Sequence, residues 1–476
     1  MSSATRRPLV ATVGALASLA IVLTACSSNT DGATGSAGTS TSTTTTTGAS
    51  GTTGSGGAPS PTSSASTAPS SESSSGAETE SSSGVSQGSP APSSESSTSA
   101  SPSTGGDVAP MTDGASQVAI TLQNNTCTLD HAAAAAGPVT FTVTNVSASG
   151  LTEIELQQDQ RIIGEKENLA PGLPAVKFTS TLDGGTYVIY CPGADTESQN
   201  FTVTGTAPTP KDETTAELLQ AGTKTYGTYV AGVLADMVTA VDNLNTAVDS
   251  GNVADARVKY ALARPFYEKV ESDVDGFVLP GFTPDDNAGF LDYLIDMRAS
   301  NLDPAVGWHG FHAIERDLFT GSGKITASTK QLAAELDKNV KTLAGLAKGL
   351  TYQPEDLANG ASGLLEEVQT NKIKGEEESY SHLDLLDFAA NVEGAQQAFA
   401  NLKPGLEKID PALTETISQQ FDAVNAALDK YHDPSQPGGF VLWTPELRQT
   451  DAASLSKAVQ ALQDPLSQIA QKVATV

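Results

Sequence analysis

The hydrophobic period of this chain changes once, and the change falls at Pro208-Thr209-Pro210. Before the prolines, apolar residues alternate with polar ones, as in Val118-Ala119-Ile120-Thr121-Leu122, Val139-Thr140-Phe141-Thr142-Val143-Thr144 and Phe201-Thr202-Val203-Thr204. A strand points successive side chains to opposite faces, so a period of two buries one face. A further β-rich run, Thr186-Tyr187-Val188-Ile189-Tyr190, follows the turn Asp183-Gly184-Gly185. After the prolines, Tyr226, Tyr229, Val233, Met237 and Val241 fall on one stripe at helical spacing. The spacing predicts helices over 218–248, 253–274, 308–319, 326–350, 363–373, 383–402, 411–431 and 445–473. The expected fold is therefore multidomain: a small β-sandwich over 115–206, then an all-α antiparallel helical bundle over 212–476.

The chain opens with Arg6 and Arg7, then a run of apolar and small residues over 9–23, then Leu23-Thr24-Ala25-Cys26. That is the pattern of a bacterial lipoprotein signal over 1–25, with Cys26 as the lipidated residue of the exported protein. The alternative is a plain secretory signal with an incidental cysteine. Residues 26–110 are mostly Ser, Thr, Gly, Pro and Ala and bring too little apolar surface to offset the entropy of ordering. They read as a disordered stalk holding the folded part off the outer face of the cytoplasmic membrane. The formal net charge is −29, from 55 acidic against 26 basic residues. This argues against nucleic-acid partners, which need basic patches, and suits a protein that attracts cations.

Within Gly307-Trp308-His309-Gly310-Phe311-His312-Ala313-Ile314-Glu315, His312 and Glu315 stand three apart and share a helix face. An imidazole beside a carboxylate is half of a first-row metal site; it is also an ordinary way to satisfy a packed histidine. The pattern is not His-Glu-x-x-His, so a zinc-protease motif is absent. Glu268 and Glu271 stand three apart on another helix, and Asp384, Asp387 and Asn391 share one face of a third. Bundles build metal sites from side chains on facing helices. An oxygen-rich set with one nitrogen suits iron or manganese, would hold zinc, and would not select copper(I). In the β region, Glu153 and Glu155 share a strand face, Glu167 follows, and Cys127 and Cys191 provide either a disulfide or two thiolate ligands. No His or Met follows Cys191 at ligand spacing, which excludes a blue-copper centre.

Several segments together carry a family resemblance. Gly310-Phe311-His312-Ala313-Ile314-Glu315 fits the Gly-x-His-x-x-Glu pattern of imelysin-like domains, historically labelled peptidases. The stretches Gly363–Val368, Lys374-Gly375-Glu376-Glu377, Tyr380-Ser381-His382 and Asp387–Ala395 resemble the EfeO branch of that family, as does the order of a cupredoxin-like module before an imelysin-like bundle. The resemblance implies a non-enzymatic iron-binding component (Fe2+ or Fe3+) of an iron-uptake system, with an EfeU-like permease and an EfeB-like haem peroxidase as partners. It implies His312 and Glu315 as bundle ligands with Glu268 and Glu271 beside them, and Asp387 as a further member. It implies Cys127, Glu153, Glu167 and Cys191 as a site in the cupredoxin-like module for a second metal such as copper or zinc. Pro265 within the Glu268 helix and Thr152 before Glu153 depart from the family pattern. Rival readings are a metallopeptidase and a surface adhesion or polysaccharide-binding module; an aromatic content of 5% counts against the latter.

Overall fold

The computed structural model describes residues 108–158, 161–167, 169–207 and 213–476. Cys26, the signal segment and nearly all of the stalk segment lie outside the described residues.

The strand-rich region consists of β1 (Met111–Thr112), β2 (Ala115–Gln123), β3 (Thr126–Leu129), β4 (Ala133–Ala135), β5 (Gly137–Asn145), β6 (Ile154–Gln158), β7 (Arg161–Lys166), β8 (Val176–Leu182), β9 (Gly185–Tyr190) and β10 (Ser198–Thr204). One sheet runs β1-β2-β5-β8 with β3 also on β2; the other runs β4-β10-β9-β6-β7. The alternation read from the sequence turns Val118, Ile120, Leu122, Val139, Phe141 and Val143 inward, where they meet Ile189, Phe201 and Val203 of the second sheet. Phe141 is stacked on Phe178 with centroids 4.9 Å apart and meets Phe201 edge-on at 5.3 Å. Cys127 on β3 and Cys191 just after β9 form a disulfide. Each sulfur is therefore bonded to the other, and neither offers a thiolate. The expectation that Cys127 and Cys191 serve as metal ligands is corrected accordingly.

The helices are α1 (Glu213–Ser250), α2 (Val253–Glu268), α3 (Glu271–Val274), α4 (Leu291–Asp296), α5 (Gly310–Phe319), α6 (Ala327–Leu346), α7 (Pro354–Glu367), α8 (Asp384–Ile409), α9 (Pro411–Leu428), α10 (Pro445–Leu466) and α11 (Ile469–Ala474). The long helix α1 packs against α2, α6 and α8, and the stripe residues Tyr226, Val233, Met237 and Val241 are buried there. No described helix is long and apolar enough to cross a membrane.

Two departures from the expected helices matter for the site. The segment expected to be helical over 253–274 breaks after Glu268: Val270 leaves helical geometry at φ −135° and ψ 9° before α3 begins. The side-chain amide of Asn391 donates to the Glu268 carbonyl at 2.9 Å, satisfying one of the acceptors that a helix end leaves open. The helix expected over 363–373 begins earlier, at Pro354, where Pro is favoured because the first turn needs no amide donor. It then widens into a π-turn over Val368–Lys372. Such turns carry one extra residue and shift every following side chain around the axis.

The strand-rich region is docked on α7 through its β7 and β8 strands. The carboxylate of Glu355 accepts from the Thr181 amide at 2.8 Å, and the Asn359 side chain donates to the Thr179 carbonyl at 2.6 Å. Buried Lys166 pairs with Glu366 at 2.8 Å.

Candidate metal centre

The centre is built on α5, and its first residue explains the glycine of the motif. Gly310 has φ +67°, and a Cβ there would lie 2.0 Å from the carbonyl oxygen of Ile295. Only glycine permits this close approach of α5 to the end of α4. It brings His312 beside Asp296, the last residue of α4. His312 is 1% exposed and Glu315 0% exposed. The His312 Nδ1 is 3.2 Å from Glu315 and 3.9 Å from Glu378; its Nε2 is 3.3 Å from Glu377 and 3.6 Å from Asp296. Two groups with metal-ligand proximity result: Asp296, His312 and Glu377, and His312, Glu315 and Glu378.

Glu315 is held from the other side. One of its oxygens accepts from the backbone amides of Tyr380 and Ser381, both at 2.7 Å. Those amides belong to a tight turn in which His382 has φ +62°. Tyr260 donates to Glu378 at 2.8 Å, and Ser381 also hydrogen-bonds Glu378.

A guanidinium occupies the middle of the carboxylates. Arg264 lies 2.6 Å from Asp296, 2.8 Å from Glu377, 3.1 Å from Glu378 and 3.5 Å from Asp387, and also pairs with Glu268. Arg264, Glu268, Asp387, Glu377 and Glu378 are buried without measurable or with only trace exposure. Beyond them, Lys372 bridges Glu268, Glu271, Glu367 and Glu377, and Arg298 contacts Glu367 at 2.8 Å and Glu377 at 3.0 Å.

Crowding sets the ionisation. Burial, partly offset by Arg264 and His312, pushes the Asp296 carboxyl up to about 8; burial and the nearby Glu315 push Glu378 to about 7. Burial likewise raises Asp387 far above the carboxylate range. Glu377 goes the other way: burial would raise it, but Lys372, Arg298 and His312 hold it well below. For His312, burial opposes the charged form, yet its hydrogen bonds to Glu315 and Glu377 raise its pKa well above the ordinary value. Several buried acceptors lack a well-aligned hydrogen bond: both oxygens of Glu268, both of Asp387, and one of Asp296. Buried oxygens in that condition need positive charge beside them; Arg264 supplies it to Glu268, Asp296 and Asp387, and Lys372 also supplies it to Glu268.

Of the residues singled out in the sequence, the structure brings together His312, Glu315, Glu268 and Asp387. Glu271 faces Lys372 instead, because the break after Glu268 turns α3 away. Asp296, Glu377 and Glu378 escaped sequence reading. Asp296 was one acid at the end of an apolar run, and Glu377 and Glu378 stand in a turn where no period marks a face.

The family resemblance groups Glu153 and Glu167 with Cys127 and Cys191 as a metal site; the two carboxylates line a cavity whose lining includes neither cysteine. This cavity of about 490 Å3 lies between the strand-rich region and the helices, and Glu165, Glu271, Asp275 and Asp292 line it too. Burial and its neighbour Glu155 push Glu153 up to about 8, and burial raises Glu165 and Glu167 well above the carboxylate range.

Fold and centre together define a helical-bundle protein with a buried histidine–carboxylate cluster, preceded by a strand-rich region. The chain belongs to the imelysin family (peptidase M75), whose model matches residues 222–472. It is 33% identical over 365 residues to "Iron uptake system component EfeO" of Yersinia pestis, covering 74% of this chain and 90% of that protein. It is 33% identical over 363 residues to the protein of the same name from Yersinia pseudotuberculosis, with the same coverage. It is 38% identical over 262 residues to "Efem/EfeO family lipoprotein" of Staphylococcus aureus strain MRSA252, covering 54% of this chain and 87% of that protein.

Proposed function

We propose that this chain is the extracytoplasmic, membrane-anchored iron-binding component of an iron-uptake system, and that it passes iron to an EfeU-like permease working with an EfeB-like haem peroxidase. The observation behind this reading is the buried centre around His312, where carboxylate oxygens of Asp296, Glu315, Glu377 and Glu378 and the two ring nitrogens form two groups of atoms close enough to share an ion. Hard, highly charged iron is the cation such an oxygen-rich set favours. His312 and Glu315 would ligate it, with Glu377, Glu378 and Asp296 closing the shell, and Glu268 and Asp387 balancing charge. The names of the relatives support the same reading. We read the protein as a carrier and not a peptidase: among the described residues, His312 is the single histidine in either ligand group. The strand-rich region we read as a cupredoxin-like module whose Glu153 and Glu167 gather cations at the cavity. Cys26 would carry the lipid anchor, and Cys26→Ser should release the protein from the membrane fraction.

The deciding experiment is iron binding by the full chain and by Glu315→Gln and His312→Ala, followed by calorimetry or by retention after gel filtration. Each variant is expected to weaken binding at least tenfold while its circular dichroism stays that of the parent. Undiminished binding by both would make His312 and Glu315 packing residues.

A further inference from the structure

A cation bound at the His312 centre has to cross protein, because Asp296, His312, Glu315, Glu377 and Glu378 are each at most 4% exposed. The walls around it differ in how firmly they are packed. Tyr267 of α2, Ile295 of α4, Ile314 of α5 and Phe388 of α8 belong to the main helical core. Displacing any of those helices exposes that core to water, so they sit at the high end of local stability. The turn over 377–381 carries two of the carboxylates, and moving it would dismantle the centre.

The segment 298–309 is built differently. It runs from just after Asp296 to just before His312, joining α4 to α5. None of its residues is buried. Its Leu302, Val306 and Trp308 pack on a small separate cluster formed by Tyr293, Leu294 and Met297. Few buried apolar contacts mark a segment that opens at low cost. It also meets the carboxylate-bearing turn at both of its ends. Arg298 contacts Glu377 at 3.0 Å, and the Trp308 ring meets edge-on the ring of Tyr380, whose amide holds Glu315.

One hydroxyl fastens the segment to α4. The Tyr293 hydroxyl accepts from the Asp303 amide and donates to the Gly307 carbonyl, each at 2.9 Å. Gly307 has φ +96°, and nothing lies within 4 Å of where a Cβ would stand. Backbone conformation, not crowding, therefore requires glycine there, as at a joint that has to turn.

We propose that the segment 298–309 is the gate through which cations enter and leave the His312 centre, latched by the Tyr293 hydroxyl and hinged at Gly307. This inference rests on reading the His312 centre as a metal site. Such a gate sets rates and not affinity. Loosening the latch raises the open population of the empty and the loaded chain alike, so uptake and release quicken together.

The test times metal exchange in the full-length parent, in Tyr293→Phe and, as a control, in Tyr431→Phe, whose hydroxyl donates to Asp451. Gallium(III), a redox-inert stand-in for ferric iron, is supplied as the citrate and later withdrawn with excess EDTA; bound gallium is counted at intervals. Tyr293→Phe is expected to speed both uptake and release about fivefold, the size of effect a lost hydrogen bond gives. Its final retention should equal the parent's, and Tyr431→Phe should exchange at the parent's rates. Hydrogen exchange of the metal-free chains is the second readout: amides over 298–309 should exchange faster in Tyr293→Phe, and those of α5 should not. Parental gallium rates in Tyr293→Phe overturn the proposal, as does parental hydrogen exchange over 298–309. Faster release without faster uptake makes Tyr293 a support of the bound site and also overturns it. The two readings fail differently. A parent that retains no gallium and no iron contradicts the His312 centre and the gate with it; a parent that retains gallium at rates indifferent to Tyr293 contradicts the gate alone.

Discussion

Arg264 is the residue on which the buried charge balance turns. Its guanidinium faces Glu268, Asp296, Glu377, Glu378 and Asp387 at once, and it also lies over the Phe311 ring at 5.3 Å. A planar fork with five donors serves several carboxylates in a way that a lysine cannot. Arg264→Met should destabilise the metal-free protein by roughly 3–5 kcal/mol, the usual cost of stranding buried charges. Urea unfolding measures this directly. Adding a multivalent cation should recover part of the loss, because binding to the folded state alone adds stability by linkage. A variant as stable as the parent would mean that the carboxylates are already neutral in the metal-free state. The glycine two residues before His312 is decided at the same scale, by a carbonyl oxygen where a methyl group would have to go.

At the scale of elements, the disulfide ties β3 to the segment after β9 across a sequence separation of 64. On the chain-entropy model, closing a loop of that length stabilises the folded state by about 4 kcal/mol. Cys127→Ser/Cys191→Ser should therefore lower the denaturation midpoint of the strand-rich region. It should leave metal retention at the His312 centre unchanged, since neither sulfur is available as a thiolate. Loss of metal in step with loss of the bridge would contradict this separation of roles. The helix break at Lys269 and Val270 and the π-turn at Val368–Lys372 act in the opposite sense. Both interrupt regular elements, and together they set Glu271 against Lys372 beside the cluster. Regular geometry would have carried Glu271 and Lys372 elsewhere.

At the scale of the whole molecule, the cavity between the two regions should make stability depend on pH. Burial and neighbouring carboxylates push Glu153 to about 8, burial pushes Glu155 to about 7, and burial pushes Asp292 to about 6. These groups keep protons in the folded chain that the unfolded chain has released, so the folded state binds more protons between about pH 4 and 8. Their contribution is fully present below the unfolded pKa and lost as pH rises through the folded values. Without multivalent cations, the melting temperature should therefore fall from pH 5 to pH 8; with gallium or iron bound, the fall should flatten. Glu367, which burial would raise but Arg298 and Lys372 hold at about 2, acts in a separate window: its contribution is lost only as pH falls below about 4. Melting curves across both windows separate the two groups, and a stability that rose steadily from pH 5 to pH 8 would refute the cavity assignment.

The two hydrophobic periods, the turn at Asp183-Gly184-Gly185 and the pairing of His312 with Glu315 were legible in the sequence, because each depends on residues only a few positions apart. So was the presence of carboxylates on the α2 and α8 helices. Only the tertiary structure decided which of them meet. Arg264, Asp296, His312, Glu377 and Asp387 come from separate elements, and no local pattern encodes their convergence. Glu377 and Glu378 sit in a turn, where no period identifies a buried face. Whether Cys127 and Cys191 were ligands or a bridge, and whether Glu271 faced His312 or Lys372, depended on the packing of strands and on one broken helix. Chain-local physics sets the elements; the closeness of distant charges is set by how those elements pack, and the chemistry of this centre resides in that closeness.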